Sequence, residues 1–362
     1  MKKNSTRTKK SKSDRNAPRQ TIGLDLGDRN SRFCRLGADG RILEESSVPT
    51  QATAIQKVFG AMRRCRIALE VGTHSPWVSR LLTELGHEVI VANPRQVALI
   101  GASSRKNDRM DAQALARLAR VDPQLLQPIR HRSREAQEDL MVIRVRATLV
   151  EARTSLVNAA RGLAKALGKR LPQCDADQMS MEKAASLPGA LQESLRPLLE
   201  EVASLTEKIH ALDAQIEQIA RDQYPETALL TQVHGVGTLI ALTFVLTIDD
   251  KQRFAKSRDV GCYLGLRPKQ RASGARDPQL RISKEGDVYL RKLLVQAAHC
   301  ILRRRAPDTD LQQWGLRLCA RGGKNARKRA VVAVARKLAI LLHRLWVTGE
   351  VYEPSRQQAV AA

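Results

Sequence analysis

Apolar residues come in short blocks at the start of the chain and in long periodic stripes further on. Gln20–Leu26 is a brief apolar run closed by Gly27 and Asp28, and Ser31–Leu36 and Arg41–Val48 follow, separated by the turn Ala38-Asp39-Gly40. Three β-prone runs joined by tight turns predict an antiparallel meander. The pattern then alternates: a helix over Ala52–Arg63, a strand over Arg66–Glu70, a helix over Pro76–Leu85, a strand over Glu88–Ala92. Such alternation predicts a parallel extension of the same sheet. One more helix is expected from Asp108 to just before Pro123, which makes 20–122 an α/β domain.

The middle has a different period. Val142, Leu149, Leu156 and Leu163 are seven apart, as are Val145, Ala152, Ala159 and Ala166. A second stripe runs Leu195, Leu198, Val202, Leu205, Ile209, Leu212, Ile216, Ile219, in steps of three and four. Pro172, Pro188 and Gly189 break the chain between the stripes. Heptad seams of this kind predict an antiparallel coiled coil over 123–224, either intramolecular or completed by a second protomer.

The third part, 225–348, reads as mostly helical. Leu229–Val233, His234-Gly235-Val236-Gly237 and Leu239–Ile248 predict helix, tight turn, helix. A short helix around Ser257–Leu264, a loop through Gly265–Gly274, and helices over Asp287–Arg305 and Asn325–Trp346 follow, with a loose tail at 349–362.

Charge adds the first functional constraint. The 362 residues hold 62 Lys and Arg against 37 Asp and Glu, a net charge of +25. Self-repulsion of that size points to a polyanionic partner, nucleic acid first, with a merely solvated basic surface or a ribosome-associated role as the alternative. Residues 1–19 carry eight of these cations and one acid and read as a disordered basic arm. The six cysteines lack any C-x-x-C pair or zinc spacing and fit buried thiols of a reducing cytoplasm. No apolar run approaches the ~20 residues of a membrane span, and no apolar segment follows the basic start as in a secretory signal.

Four acids stand where chemistry is possible. Asp25 closes the first strand and Glu70 the fourth. In a meander followed by parallel crossovers these strands are neighbours, so the two carboxylates face one another and repel unless a cation sits between them. Asp108 and Asp111 are three apart in the first turn of a helix and share a face. Each has an ordinary reading: a turn cap, a surface acid, helix-start acids favoured by the macrodipole. Gly23-Leu24-Asp25-Leu26-Gly27 also suits the phosphate turn of an actin- or chaperone-like ATPase, although no second phosphate turn accompanies it. Together the four can hold two Mg²⁺, or Mn²⁺, ~4 Å apart, the arrangement that clamps both oxygens in phosphodiester chemistry. Gly235 and Gly237 are candidates for backbone contact with phosphate, or simply a sharp turn. Arg321, Lys324, Arg327, Lys328, Arg329, Arg336 and Lys337 form a run without an acid.

The order Asp25, Glu70, Asp108, Asp111 resembles the DEDD transposases of bacterial insertion sequences, the IS110 and IS1111 group. Lys106–Ala112 matches their Lys-Thr/Asn-Asp-x-x-Asp-Ala element. Gln232–Ala241 is similar to their helix-hairpin-helix stretch, Gly265–Pro268 to Gly-Leu-x-Pro, Ser273-Gly274 to Ser-Gly, and Arg281–Gly286 with Leu290-Arg291 to Ile-Ser/Thr-Lys-x-Gly…Leu-Arg. The likeness spans about 20–350; the arm before Gln20 departs from it. It implies a RuvC/RNase H-like N-terminal domain, divalent metal on the four acids, and Ser273 as nucleophile. Nothing local to Ser273 supplies a base, so activation would come from the carboxylates across domains or in trans. It also implies donor and target DNA as substrates, a structured non-coding guide RNA, a dimer or tetramer, and a place on the bacterial nucleoid. Lys269, Arg271, Arg276, Lys284, Arg291, Arg327, Lys328 and Arg329 are the expected nucleic-acid contacts. The remaining alternative is a non-enzymatic nucleic-acid binder with an assembly arm.

Overall fold

The computed structural model describes residues 20–93, 108–271, 273, 278 and 280–355; the basic arm, Lys106, Asn107, Gly274, Arg276 and the end of the tail lie outside them. The chain divides into two compact units, one up to His131 and one from Arg132.

In the first unit, β1 (Thr21–Asp25), β2 (Asn30–Leu36), β3 (Ile42–Pro49), β4 (Arg66–Glu70) and β5 (Glu88–Ala92) form one mixed sheet in the order β3-β2-β1-β4-β5. The first three strands are the expected antiparallel meander; β4 lies parallel to β1, and β5 parallel to β4. Alternation along each strand sends side chains to two faces. Ile22, Leu24, Phe33, Ile67 and Leu69 pack with Ile55 and Phe59 of α1 (Ala52–Gly60) and Val78 and Leu82 of α2 (Ser75–Glu84). The opposite face belongs to α3 (Asp108–Val121), whose Leu115 and Ala119 meet Ala68 and Ile90, and whose Ala112 and Ala116 meet Cys34 and Leu36.

Gly23 sets how close that helix comes. A Cβ there would lie 2.0 Å from the Ala112 carbonyl oxygen and 2.5 Å from the Ala116 nitrogen, so only glycine admits the helix backbone. The far end of α3 is tied to the opposite end of the strands. Arg66, first residue of β4, donates to the Ala119 carbonyl (3.1 Å), and Arg120 donates to the Ala38 carbonyl beyond β2 (2.7 Å). The helix therefore runs antiparallel to β1 and β4, and its N-terminus lies over their carboxyl ends.

The second unit opens with two long helices, α4 (Arg134–Ala166) and α5 (Gly189–Gln223), each about 50 Å long at 1.5 Å per residue. Arg146 pairs with Asp213 (2.6 Å) and Arg153 with Thr206 (3.2 Å), which fixes them as antiparallel. The stripe expected on α5 is buried, with Leu199 in place of Leu198 and with Leu212 only half-buried. The stripe expected on α4 is corrected by one residue. Ile143, Val157, Ala160 and Ala164 are buried, whereas Val145 and Leu163 are exposed. The seam there includes Arg146 and Arg153, whose aliphatic stems pack while their guanidinium groups reach partners on α5.

The remaining helices are α6 (Thr227–Leu230), α7 (Thr238–Ile248), α8 (Arg258–Tyr263), α9 (Val288–Ile301), α10 (Asp310–Ala320) and α11 (Ala326–Thr348). They enclose one core in which Phe244, Val245, Leu294, Val334, Leu338 and Leu342 are buried. Every residue of Ala241–Ile248 is buried, as suits a helix that is apolar all round. The helix expected before Gly235 is a single turn, and α10 was not expected. No helix among the described residues is long and apolar enough to cross a membrane.

Candidate functional site

The strand register builds a row across the α3-covered face at the carboxyl ends of β1 and β4. Arg32 pairs with Ser47 on one side and Asp25 on the other. Leu24 pairs with Leu69, so Asp25 and Glu70 are the next positions on adjacent parallel strands, and Glu70 pairs with Ala92. The row reads Ser47, Arg32, Asp25, Glu70, Ala92. The row beneath it, Glu45, Cys34, Gly23, Ala68, Ile90, is the one on which α3 packs. Asp25 and Glu70 are half-buried.

Helix α3 extends its sheet-facing stripe toward this row. Ala112, Leu115, Ala116 and Ala119 are buried against strands, and positions 108 and 111 lie one turn earlier on the same stripe. The helix begins at Asp108, and Asp111 is half-buried. Backbone placement thus brings all four expected acids to one end of the sheet. Their carboxylate oxygens suit hard cations such as Mg²⁺. Among the described residues, however, no three His, Cys, Asp or Glu side chains form a group that holds a metal ion as they stand.

Beside the row lies a cavity of about 210 Å³ lined by Arg32, Phe33, Cys34, Glu45, Ser46, Arg109 and Ala112. Arg109 makes an ion pair with Glu45 (2.5 Å), and Gln113 donates to the same carboxylate. These two hydrogen bonds, Arg109 first, hold the Glu45 carboxyl below its ordinary range. Burial raises the Cys34 thiol and keeps it neutral. Sequence alone did not single out Arg32, Glu45 or Arg109, because only the register and the seat of α3 bring them together. The loop after Glu70 is also fastened: the Ser75 hydroxyl donates to the Gly72 carbonyl (2.8 Å), accepts from the Gly72 N–H (3.0 Å), and lies 3.0 Å from His131 Nε2.

In the second unit Ser273 is exposed, as are Lys269, Arg271 and Lys284. The segment that carries Ser273 is clasped at its root. Lys269 N–H bonds the Arg281 carbonyl and Ser283 N–H the Arg267 carbonyl, both at 2.9 Å, and Lys284 N–H bonds the Gly265 carbonyl at 3.1 Å. Arg291 belongs to this clasp and is corrected as a nucleic-acid contact. It is buried, and its guanidinium donates to the Leu264 (3.0 Å) and Glu285 (2.6 Å) carbonyls, so it closes a loop rather than meeting phosphate. Gly235 has φ +85, and a Cβ there would lie 3.1 Å from the Ala297 carbonyl oxygen. A tight turn against α9 therefore accounts for it, while Gly237 precedes α7 with open space around it. Arg327, Lys328 and Arg329 are exposed on the first turn of α11.

Residues 22–167 match a family model for DEDD transposases of the IS110 type, and residues 227–313 match one described as the transposase IS116/IS110/IS902 family. A Pseudomonas aeruginosa protein called a probable family 20 transposase is 30% identical, over 92% of this chain and 98% of its own. The Coxiella burnetii transposase for insertion sequence element IS1111A is 28% identical, over 91% of this chain and 90% of its own. A solved structure of RuvC from Thermus thermophilus matches 28% of this chain and 96% of that one, at 17% identity and a TM-score of 0.23.

Proposed function

The chain belongs to the IS116/IS110/IS902 transposase family and is a DNA transposase of insertion sequences; from that premise we propose how it acts on DNA. The first unit is a RuvC/RNase H-like nuclease domain whose Asp25, Glu70, Asp108 and Asp111 would hold two divalent cations, Mg²⁺ in the cell. The observation that carries this reading is the placement of Asp25 and Glu70 side by side at the strand ends, with the α3 N-terminus over the same end. Such ions would offset phosphate charge and favour a deprotonated hydroxyl.

Ser273 is the nucleophile. Its hydroxyl loses a proton, Oγ bonds to phosphorus, and the deoxyribose oxygen on the cut side leaves and takes up a proton. Attack by a second strand's hydroxyl reverses the exchange and frees the serine, conserving the phosphodiester energy. Exposure of Ser273 next to Arg271 and near Lys269 supports this role, since guanidinium and ammonium groups draw phosphate in. A structured guide RNA encoded by the element, which the family resemblance implies, is a second polyanion that the net charge of +25 can accommodate. Gly237, Lys284, Arg327, Lys328 and Arg329 serve backbone contacts. Homo-oligomerisation uses the heptad stripe left outside the α4–α5 seam, with Val145 and Leu163 exposed.

The test is a covalent protein–DNA adduct that survives denaturation. It is expected in the wild type and absent in Ser273→Ala and Asp25→Asn, both of which retain DNA binding. Recombination at the wild-type rate by Ser273→Ala would falsify the serine mechanism. Sequencing of co-purifying nucleic acid tests the guide: one discrete RNA species supports it, and a random mixture removes it.

A further inference from the structure

The cavity beside the carboxylate row has a composition that the proposed chemistry does not use. Two guanidinium groups, Arg32 and Arg109, and the polar residue Ser46 line it, and one carboxylate, Glu45, occupies Arg109. Arg32 stands one strand from Asp25 on the same face, ~4.8 Å away along the row. It is exposed, whereas Cys34, on the same face of β2, is buried. Arg109 is the second residue of α3, on the helix that carries Asp108 and Asp111. Two guanidinium-bearing residues thus line one recess beside the carboxylate row.

We propose that this recess seats a backbone phosphodiester of the DNA strand next to the bond being cut, held between Arg32 and Arg109, and that Glu45 occupies Arg109 until the phosphate displaces it. The proposal rests on the carboxylate-row reading of the active site. Arg and phosphate match as planar donor fork and tetrahedral acceptor, and an arginine is freely re-paired from carboxylate to phosphate because both accept the same two N–H groups. Glu45 then acts as a placeholder. It keeps Arg109 oriented over β3 in the free protein and, with Gln113, fixes the first turn of α3. Phosphate entry takes Arg109 from Glu45, whose side chain is 22% exposed and keeps its hydrogen bond from Gln113.

The test is equilibrium binding of a mixed-sequence single-stranded DNA oligonucleotide and of the same sequence as RNA, with EDTA present so that no strand is cut. Arg32→Ala and Arg109→Ala are each expected to reduce the slope of log K against log salt, and the double variant by ~0.7, which is about a 2.6-fold difference over a fourfold change in salt. Arg32→Lys restores the slope because charge is retained. Glu45→Gln is expected to tighten binding at low salt, since the competing anion is gone. Thermal unfolding of each variant separates folding losses from binding losses.

An unchanged slope in a folded Arg32→Ala, with stability lost instead, means that Arg32 is only a cross-strand partner of Asp25 and overturns the proposal. Weaker binding by folded Glu45→Gln overturns the placeholder role. A slope change confined to the RNA arm overturns the assignment to DNA. Failure here is distinguishable from failure of the carboxylate reading, which shows itself as normal cleavage by Asp25→Asn.

Discussion

Replacing Gly23 by alanine tests how the four acids are brought together. The added methyl would stand 2.0 Å from the Ala112 carbonyl oxygen, 2.5 Å from the Ala116 nitrogen and 3.0 Å from Leu115 Cβ. Two of these atoms are helix backbone, so no rotamer change relieves them. Ordinary contact begins near 3.4 Å, and α3 must retreat from β1 by about 1.4 Å. Overpacking of this kind costs about 1–3 kcal/mol, a fall in Tm of roughly 4–12 °C for a unit of this size. The larger effect falls on catalysis. On the proposed carboxylate site, Asp111 rides on α3 while Asp25 stays on β1, and a displacement of ~1 Å between two such groups costs on the order of a hundredfold in rate. The assay pairs DNA strand cleavage with thermal unfolding of the full chain. Gly162→Ala is the control: that exposed position inside α4 has nothing within 4 Å, and alanine there should raise stability by about 0.5–1 kcal/mol and leave cleavage unchanged. If Gly23→Ala cleaves DNA at the wild-type rate with an unchanged Tm, the close seat of α3 does not organise the site.

Two further predictions concern the second unit. The Asp287 carboxylate accepts from the Leu290 N–H at the start of α9 (2.8 Å) and pairs with Arg144 and with Arg132 (3.6 Å). Asp287→Ala should lower the urea-unfolding free energy by about 2–3 kcal/mol, and Asp287→Asn, which keeps the cap, should recover about 1; values within about 0.5 kcal/mol of wild type for both would show that the cluster is inert. His343 is buried, with Nε2–H donating to the Lys251 carbonyl and Nδ1 accepting from the Ser257 hydroxyl, both at 3.0 Å. Burial lowers its pKa, partly offset by the Lys251 bond. The unfolded chain therefore takes up a proton at a higher pH than the folded one, so stability is complete above the ordinary histidine range and falls as pH drops through about 6.5. His343→Gln should flatten the decline in Tm between about pH 7.5 and 5.5; equal slopes would place the acid sensitivity elsewhere.

The first unit was largely legible because its strands are short apolar runs bounded by turn residues. Arg66–Glu70 and Glu88–Ala92 are found as expected, α3 starts at Asp108, and the adjacency of strands one and four follows from the connection order. The α4 seam was misplaced by one residue because apolar counting ignores arginines that pack by their stems, as Arg146 and Arg153 do. Helix α10 was hidden by Pro307 before it and Gly315 within it, although Thr309 donated a capping signal: its hydroxyl accepts from Gln312 N–H. Arg291 illustrates a different limit. A cation in a basic motif reads as a phosphate contact, and only the fold reveals that backbone carbonyls satisfy it. The cavity of Arg32, Glu45 and Arg109 joins residues far apart in the chain, so no local pattern announces it.

The clasp between Gly265–Lys269 and Arg281–Lys284, closed from beneath by Arg291, separates the serine-bearing tip from the helices that support it. Both ends of the segment are pinned, so a change of length between them alters its closure entropy only slowly. The tip is in effect an interchangeable bit in a fixed chuck. On the proposed role of Ser273, grafting a relative's tip onto this root changes the DNA that is met while the helical core stays as it is.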